Sequence, residues 1–242
     1  MIDYHERKET SASWLKAIDT KGPRYVYENY ISGISEPTDA MVLGTRVHMA
    51  TLEPVRFDSN YEPVDGTRRS KEYKSYDGPK VPLPRQEYDH IMRIRDAVME
   101  NEHAARLVES GKAEVETFKR VKFPGVGSEN CKAKADLLNI DWVADLKTTR
   151  RPDPRGWSYE VRDLAYDIQA FWYMTLFGVD TFYFIIVSNS APYHCWVQRV
   201  DAGSEMYNTG KERALRALRK LQQCRETNDW RNWYEREVQV AE

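Results

Sequence analysis

The stretch CKAKADLLNIDWVADLKTT, residues 131–149, predicts two β-strands joined by a short turn. Side chains alternate between the two faces of a strand, so Asp145 and Lys147 point the same way while Leu146 points into the core. If the two strands pair, the carboxylate of Asp136 comes close to that of Asp145. The stretch therefore predicts two acids and a lysine gathered on one sheet.

The sequence around this stretch predicts a sheet flanked by helices. Apolar residues at helical spacing alternate with short runs of strand formers. The predicted helices cover residues 11–28 (broken at Gly22-Pro23), 38–52, 86–109, 163–177 and 205–227, and the predicted strands cover 113–122, 131–140, 142–148, 181–188 and 194–200. This order is typical of an α/β fold with a central mixed sheet.

The domain organisation follows from the same pattern. We expect a single domain over residues 1–242, with an N-terminal helical part to about residue 110, the sheet with its helices over about 111–225, and a C-terminal tail over 226–242. Residues 58–84 are polar and rich in proline and glycine. They predict a loop long enough to have a function of its own.

The overall composition excludes several classes of protein. The chain has 242 residues, with 36 Lys and Arg against 38 Asp and Glu. This balance excludes a generally basic nucleic-acid coat but not a local basic groove. No apolar run approaches the length of a membrane span, and the N-terminus lacks the apolar core of a signal peptide, so we expect no membrane partner. The three scattered cysteines form neither a disulfide framework nor a zinc pair, and we expect a reduced, cytoplasmic protein.

The paired aspartates predict a divalent metal site. Carboxylate oxygens are hard ligands of the kind that Mg²⁺ prefers, and Mn²⁺ accepts the same set. The main-chain carbonyl of Leu146 is a further candidate ligand. Lys147 would then lie beside the metal, where it can orient a water or stabilise charge on a phosphate.

Other polar residues can join this site from neighbouring elements. Glu114 and Glu116 share one face of the preceding strand, and His48 comes from a flanking helix. Gln169 and Tyr173 lie four residues apart on one face of another helix. Each of these residues alone has an ordinary structural explanation, as has a single Asp-x-Lys on a strand. Their joint order along the chain favours a catalytic site.

Five segments in order resemble one known family. They are LGTRVHMATLEP (43–54), GTRRSK (66–71), AEVETF (113–118), the stretch 131–149 and YDIQAFWYM (166–174). Together they are similar to the PD-(D/E)XK nuclease superfamily, which has a restriction-endonuclease-like core, and within it to the RecE-type (exonuclease VIII) recombination exonucleases of phages and prophages. The resemblance extends from about residue 10 to about residue 225.

The resemblance implies a role for each candidate residue. Asp136, Asp145 and Lys147 would form the catalytic triad, with both aspartates holding metal. Glu114 matches the upstream glutamate that helps to bind a second ion, and His48 matches a histidine near the metal. Residues Gln169 and Tyr173 match the helix that packs over the site. The family's usual proline before the first aspartate is an alanine here, at a position that binds no metal.

The resemblance also implies an activity and partners. Members of this kind degrade one strand of linear duplex DNA from its 5′ end with Mg²⁺, and two ions are expected. They leave 3′ overhangs for recombination by strand annealing. They form ring-shaped homo-oligomers, here expected to be a trimer or tetramer, and work beside a single-strand annealing protein of the RecT type. A phage or prophage origin is expected.

Basic residues near the predicted site are candidates for phosphate contacts. Some share a strand face with Asp136, some follow the strand of Asp145, and some lie in the 58–84 segment. The candidates are Arg68, Arg69, Lys71, Lys132, Lys134, Arg150 and Arg151. Binding through such contacts weakens steeply with salt.

Two alternatives remain open on the sequence. One is another PD-(D/E)XK activity, such as a DNA endonuclease or a repair nuclease; relatives with an iron–sulfur cluster commonly carry four cysteines, and this chain has three. The other is a non-catalytic protein that binds DNA ends as a recombination scaffold. Dependence of cleavage on a divalent metal separates the two.

Overall fold

A five-stranded mixed sheet organises the computed structural model, which describes residues 4, 6–33, 37–151, 153–232 and 235. The elements in chain order are α1 (Ala12–Thr20), α2 (Pro23–Val26), a π-helical turn (Tyr27–Ile31), α3 (Asp39–Leu52), α4 (Pro54–Asn60), β1 (Tyr61–Val64), α5 (Lys71–Lys74), β2 (Val81–Pro84), α6 (Arg85–Glu100), α7 (Glu102–Ser110), β3 (Lys112–Phe123), β4 (Gly127–Leu138), β5 (Trp142–Thr149), α8 (Pro154–Asp163), α9 (Tyr166–Phe177), β6 (Thr181–Ser188), β7 (Cys195–Asp201) and α10 (Glu205–Thr227). The greater part of the predicted C-terminal tail, residues 233–234 and 236–242, lies outside the described residues.

The strand order in the main sheet is β3-β4-β5-β6-β7. β5 and β6 run parallel, and the other neighbours run antiparallel. Helices α3, α6 and α7 pack on one face, and α9 and α10 on the other. β6 is apolar at nearly every position, as expected for a strand with both faces covered, and Phe184 and Ile185 are fully buried on opposite sides. The predicted α/β class with a mixed sheet flanked by helices is confirmed.

The prediction of a plain loop over residues 58–84 is wrong. α4 continues to Asn60, and β1 and β2 form a separate two-stranded parallel sheet with α5 between them. The sequence did not predict these strands, because four residues are too few to show the alternating pattern of a strand. A parallel pair also lacks the turn signal of a hairpin, which predicts only antiparallel neighbours. The prolines were compatible with strands because this small sheet consists of edges only.

Two predicted helices have different bounds in the structure. The helix predicted over 86–109 is two helices, α6 and α7, because the side chain of Asn101 caps a new N-terminus by accepting from His103 N and Ala104 N. The helix predicted from 163 begins at Tyr166 and follows α8, which the sequence did not predict. Ala165 adopts a left-handed conformation between them (φ +52°), which turns the chain sharply.

Helices α1, α9 and α10 form one packed unit beneath the site. Gly210 lets α10 approach α9 closely, because a Cβ at this position would lie 2.0 Å from the carbonyl oxygen of Asp167. The Arg213 side chain then bridges Asp167 of α9 and Asp19 of α1. Among the described residues, no helix combines the length and apolar character needed to span a membrane.

Candidate active site

The site forms where β4 and β5 separate. Only two residue pairs join these strands, Leu137–Ala144 and Leu138–Val143. Beyond them the Asp136 side chain takes the place of a ladder partner, and its Oδ2 accepts a hydrogen bond of 2.8 Å from the amide nitrogen of Leu146. The N–H and C=O of one strand residue face the same neighbour, so the Leu146 carbonyl faces this gap as well.

Asp145 lies on the other side of the gap and is almost completely buried, with 3% of its surface exposed. Its carboxylate forms an ion pair with Lys147 and accepts a hydrogen bond from Nε2 of Gln169. Burial raises the pKa of Asp145, and the nearby charge of Asp136 raises it further. A buried carboxylate, Asp145, and a half-buried one, Asp136, therefore lie at one opening in the sheet.

His48 reaches this opening from α3. Its Nδ1 lies 3.2 Å from Oδ2 of Asp136. Burial alone would raise the pKa of Asp136, but the neighbouring His48 lowers it below its usual value. Burial likewise lowers the pKa of His48, whereas Asp136 raises it, and the net direction is upward. The pair keeps the Asp136 carboxylate charged and fixed in orientation.

Lys147 carries the main positive charge of the site. Burial would lower its pKa, but Asp145 and then Tyr166 raise it above the ordinary value for lysine. Its Nζ also lies 5.1 Å from the ring centroid of Tyr166. Lys147 is therefore a permanent cation beside the two carboxylates.

Glu114 does not join the aspartates as a ligand in this conformation. Its backbone is left-handed (φ +58°), and the register places it opposite Asp136 at an interrupted position of the β3–β4 ladder. Its carboxylate instead forms an ion pair of 2.6 Å with Lys134, which also lies 4.0 Å from Glu116. Within the described part of the chain, no three His, Cys, Asp or Glu side chains are close enough to enclose a metal ion.

The chemistry of the site nevertheless fits a divalent metal. Oδ2 of Asp145 contacts the Lys147 ammonium and has no other donor among the described residues. A hard cation such as Mg²⁺ is commonly held by one or two carboxylates and keeps several waters, so a preformed cage of three side chains is not required. Asp136, Asp145 and the Leu146 carbonyl would hold the ion. His48 acts through Asp136, since its Nδ1 is already engaged there.

Helix α9 contributes residues that the sequence predicted and one that it did not. Gln169, a predicted site residue, is buried, with 5% of its surface exposed, and donates a hydrogen bond to Asp145. Tyr173 packs against the aromatic core, and burial, then Asp145, raise its pKa well above the ordinary value. Tyr166 was missed, although its position three residues before Gln169 places it on the same helix face.

Lys16 of α1 was also missed. Its Nζ donates a hydrogen bond of 3.2 Å to Oε1 of Gln169 and lies 4.8 Å from the Tyr166 ring centroid. The sequence feature that could have revealed it is its position in SASWLK, where Ser11 is the N-cap of a helix with mostly apolar, buried residues around Lys16. A lysine on the apolar side of a short helix indicates a buried polar contact.

The predicted DNA-binding residues fall into three groups. Lys132 is buried, and its ammonium donates to the carbonyl oxygens of Tyr4 and Arg7, so its prediction as a surface phosphate contact is wrong. Lys134 is held by Glu114, and Arg68 makes a two-point contact with Glu87. The remaining candidates are exposed: Arg69, Lys71, Arg150 and Arg151.

Arg150 and Arg151 have the clearest relation to the site. They directly follow the C-terminal end of β5, the strand that carries Asp145 and Lys147. Arg151 also lies 3.7 Å from Asp163 in an exposed ion pair, which has little strength of its own. These two arginines are the predicted contacts that the structure leaves accessible beside β5.

The mixed sheet opens between two strands, and Asp136 and Asp145 lie on either side of the opening. Lys147 follows two residues after Asp145. This arrangement is that of a PD-(D/E)XK-like protein. The comparison with protein families agrees. The family described as "PDDEXK-like domain of unknown function (DUF3799)" matches residues 11–235, and this chain belongs to it. The predicted superfamily is thereby confirmed. A comparison with curated protein sequences found no match.

This chain is similar to several solved structures. A candidate exonuclease from Eubacterium rectale aligns with a TM-score of 0.63 and 17% sequence identity, over 89% of this chain and 82% of its own. An alkaline exonuclease from Laribacter hongkongensis aligns with a TM-score of 0.42 and 15% identity, over 91% of each chain. At 17% identity, the first similarity shows a common fold.

Proposed function

We propose that this protein is a Mg²⁺-dependent exonuclease that degrades one strand of linear double-stranded DNA in the 5′→3′ direction and leaves 3′ overhangs. The observation that carries the nuclease proposal is the convergence of Asp136, Asp145 and Lys147 in the opening between β4 and β5. The direction of degradation and a role in recombination by strand annealing rest on the resemblance of the sequence motifs.

Neighbouring groups hold the two carboxylates in a fixed orientation before substrate binds. Asp136 is oriented by His48 and by the Leu146 amide, and Asp145 is oriented by Gln169. A divalent metal bound by these aspartates would supply Lewis-acid stabilisation of the phosphate and a water of lowered pKa. We propose Mg²⁺ as the physiological ion, with Mn²⁺ as a substitute and two ions per site.

Lys147 stabilises negative charge rather than accepting a proton. Its pKa is raised by Asp145, so it stays protonated at neutral pH. An ammonium placed beside the scissile phosphate stabilises the additional charge of the transition state, and burial strengthens this effect. The charge of Lys147 also opposes the rise in the pKa of Asp145 that burial and Asp136 cause.

The test is digestion of duplex DNA with Mg²⁺, comparing linear substrates labelled at the 5′ or the 3′ end with covalently closed circles. The wild type is compared with Asp145→Asn and Lys147→Met. Asp141→Asn is the matched control, because Asp141 is exposed in the turn just before β5. Loss of one such transition-state contact typically lowers kcat about 100-fold or more.

The proposal predicts early release of 5′ label, intact circles, near-silent site variants and a fully active control. Cleavage of closed circles would replace the exonuclease with an endonuclease. Binding of DNA ends without cleavage by any divalent metal would favour a recombination scaffold.

We further propose, from the resemblance of the sequence, that the protein assembles into a ring-shaped homo-oligomer, a trimer or tetramer, and acts with a single-strand annealing protein of the RecT type. Sedimentation analysis tests the assembly, and a monomer at micromolar concentration would contradict it. Co-purification with an annealing protein encoded beside it tests the partner.

A further inference from the structure

Lys16 is a second lysine in the site, close to Lys147 but in a different environment. No carboxylate of the described residues lies within ion-pair distance of its ammonium, in contrast to Lys147, which pairs with Asp145. Burial, and then the like charge of Lys147, lower the pKa of Lys16 to about 7. Burying a charged lysine costs free energy, so the contacts that Lys16 makes there point to a role beyond packing.

The contact of Lys16 determines the orientation of a neighbouring amide. When it is protonated, the Lys16 amine can only donate hydrogen bonds, so the atom of Gln169 that it contacts is then the oxygen Oε1. The amide nitrogen of Gln169 then points to the opposite side and donates to Oδ1 of Asp145. With the amide reversed, its oxygen would face the Asp145 carboxylate and its nitrogen would face the ammonium.

We propose that Lys16 is a positioning residue that acts through Gln169 to orient Asp145 for metal binding. The Lys16 ammonium holds the Gln169 amide, and the amide holds one oxygen of the Asp145 carboxylate. The other oxygen, Oδ2, is the one that lacks a further donor in the described part of the chain. This inference deepens the proposed function and rests on it only in that Asp145 is taken as a metal ligand.

The first measurement is a double-mutant cycle in the metal-free protein. Lys16→Met keeps the aliphatic stem and removes the donor, and Gln169→Leu removes both ends of the amide. Either change leaves a buried polar atom unsatisfied, so each is expected to lower Tm by about 3–8 °C. If Lys16 acts through Gln169, the two shifts are not additive, and the double variant melts close to the worse single variant.

The second measurement is calorimetric titration of the same variants with Mn²⁺ in the absence of DNA. Loss of a group that orients a metal ligand typically weakens metal binding 10- to 100-fold. We expect weakening of about 10-fold or more for Lys16→Met and for Gln169→Leu, with no further loss in the double variant. Lys21→Met, at the C-terminal end of the same helix, removes an exposed ammonium and should bind Mn²⁺ as the wild type does.

Additive shifts in Tm would overturn the link between Lys16 and Gln169, and unchanged Mn²⁺ binding by Lys16→Met would overturn its role in orienting Asp145. Neither result depends on nuclease activity. If the wild type binds Mn²⁺ and shows the expected coupling but cuts no DNA, the proposed function fails and the inference stands. If the wild type cuts DNA and the cycle is additive, only the inference fails.

Discussion

Replacement of Arg213 by methionine should destabilise the protein strongly, because this side chain compensates two carboxylates at once. Its Nη1 lies 2.9 Å from Oδ1 of Asp167, and its Nη2 lies 2.6 Å from Oδ2 of Asp19. The Asp167 side chain is only 4% exposed, and that of Asp19 is 9% exposed. Removal of one partner of a buried ion pair costs about 3–5 kcal/mol, because the remaining charge is left without compensation.

We expect a cost near the lower end of this range, about 3 kcal/mol in the free energy of unfolding. Burial already raises the pKa of Asp167, while Arg213 holds it down. Without Arg213, Asp167 can take up a proton, which limits the penalty. The same argument predicts that adding Asp167→Asn to Arg213→Met restores part of the lost stability.

The assay is equilibrium unfolding in urea at pH 7, and Arg216→Met is the matched control. Arg216 also contacts Asp19, at 3.0 Å, but its side chain is 67% exposed. Exposed ion pairs contribute about 1 kcal/mol or less. A loss below about 1 kcal/mol for Arg213→Met, or equal losses for both variants, would refute the reasoning from burial.

Three further predictions concern stability and DNA binding. In urea unfolding, Glu114→Gly should have a free energy of unfolding about 1 kcal/mol higher than Glu114→Ala, because only glycine accepts φ +58° without strain. At Glu116, which has ordinary strand geometry, the alanine variant should be the more stable of the two. The folded-state pKa of Lys16 lies below its ordinary value of 10.5, so the unfolded chain binds more protons from about pH 7 upward. Lys16 should therefore make the free energy of unfolding of the metal-free protein rise from pH 7 to 10. An equal rise in Lys16→Met would contradict this. Arg150→Ala should reduce the slope of log Kd against log salt by about 1, whereas Lys132→Met should lower Tm and leave that slope unchanged; a reduced slope for Lys132→Met would mean that its ammonium reaches DNA.

The sequence predicted the centre of the fold well because local pattern and tertiary environment agree there. β6 is apolar at nearly every position and is buried on both faces, and Asp145 and Lys147 alternate with the core residue Leu146. The prediction was weakest where short elements depend on their neighbours. The parallel pair of β1 and β2 exists because α6 packs beneath it, and its residues alone carry no signal of this contact.

The candidate site divides in the same way. His48, Asp136, Asp145 and Gln169 were predicted from motif and order. The structure pairs His48 with Asp136 and Gln169 with Asp145. Lys132 was assigned to the surface from strand alternation, but the N-terminal segment folds over that face and covers its ammonium. Alternation distinguishes the two faces of a strand and cannot tell which face another segment will cover.

The sequence by itself determined the superfamily and the acids and lysine of the site, because these depend on residue type and spacing within single strands and helices. Only the tertiary structure decided which polar groups are shared between elements. Lys16, Gln169 and Asp145 come from α1, α9 and β5, and the left-handed turn at Glu114 directs its carboxylate to Lys134. Such contacts depend on the distances between elements far apart in the chain, and no local pattern encodes those distances.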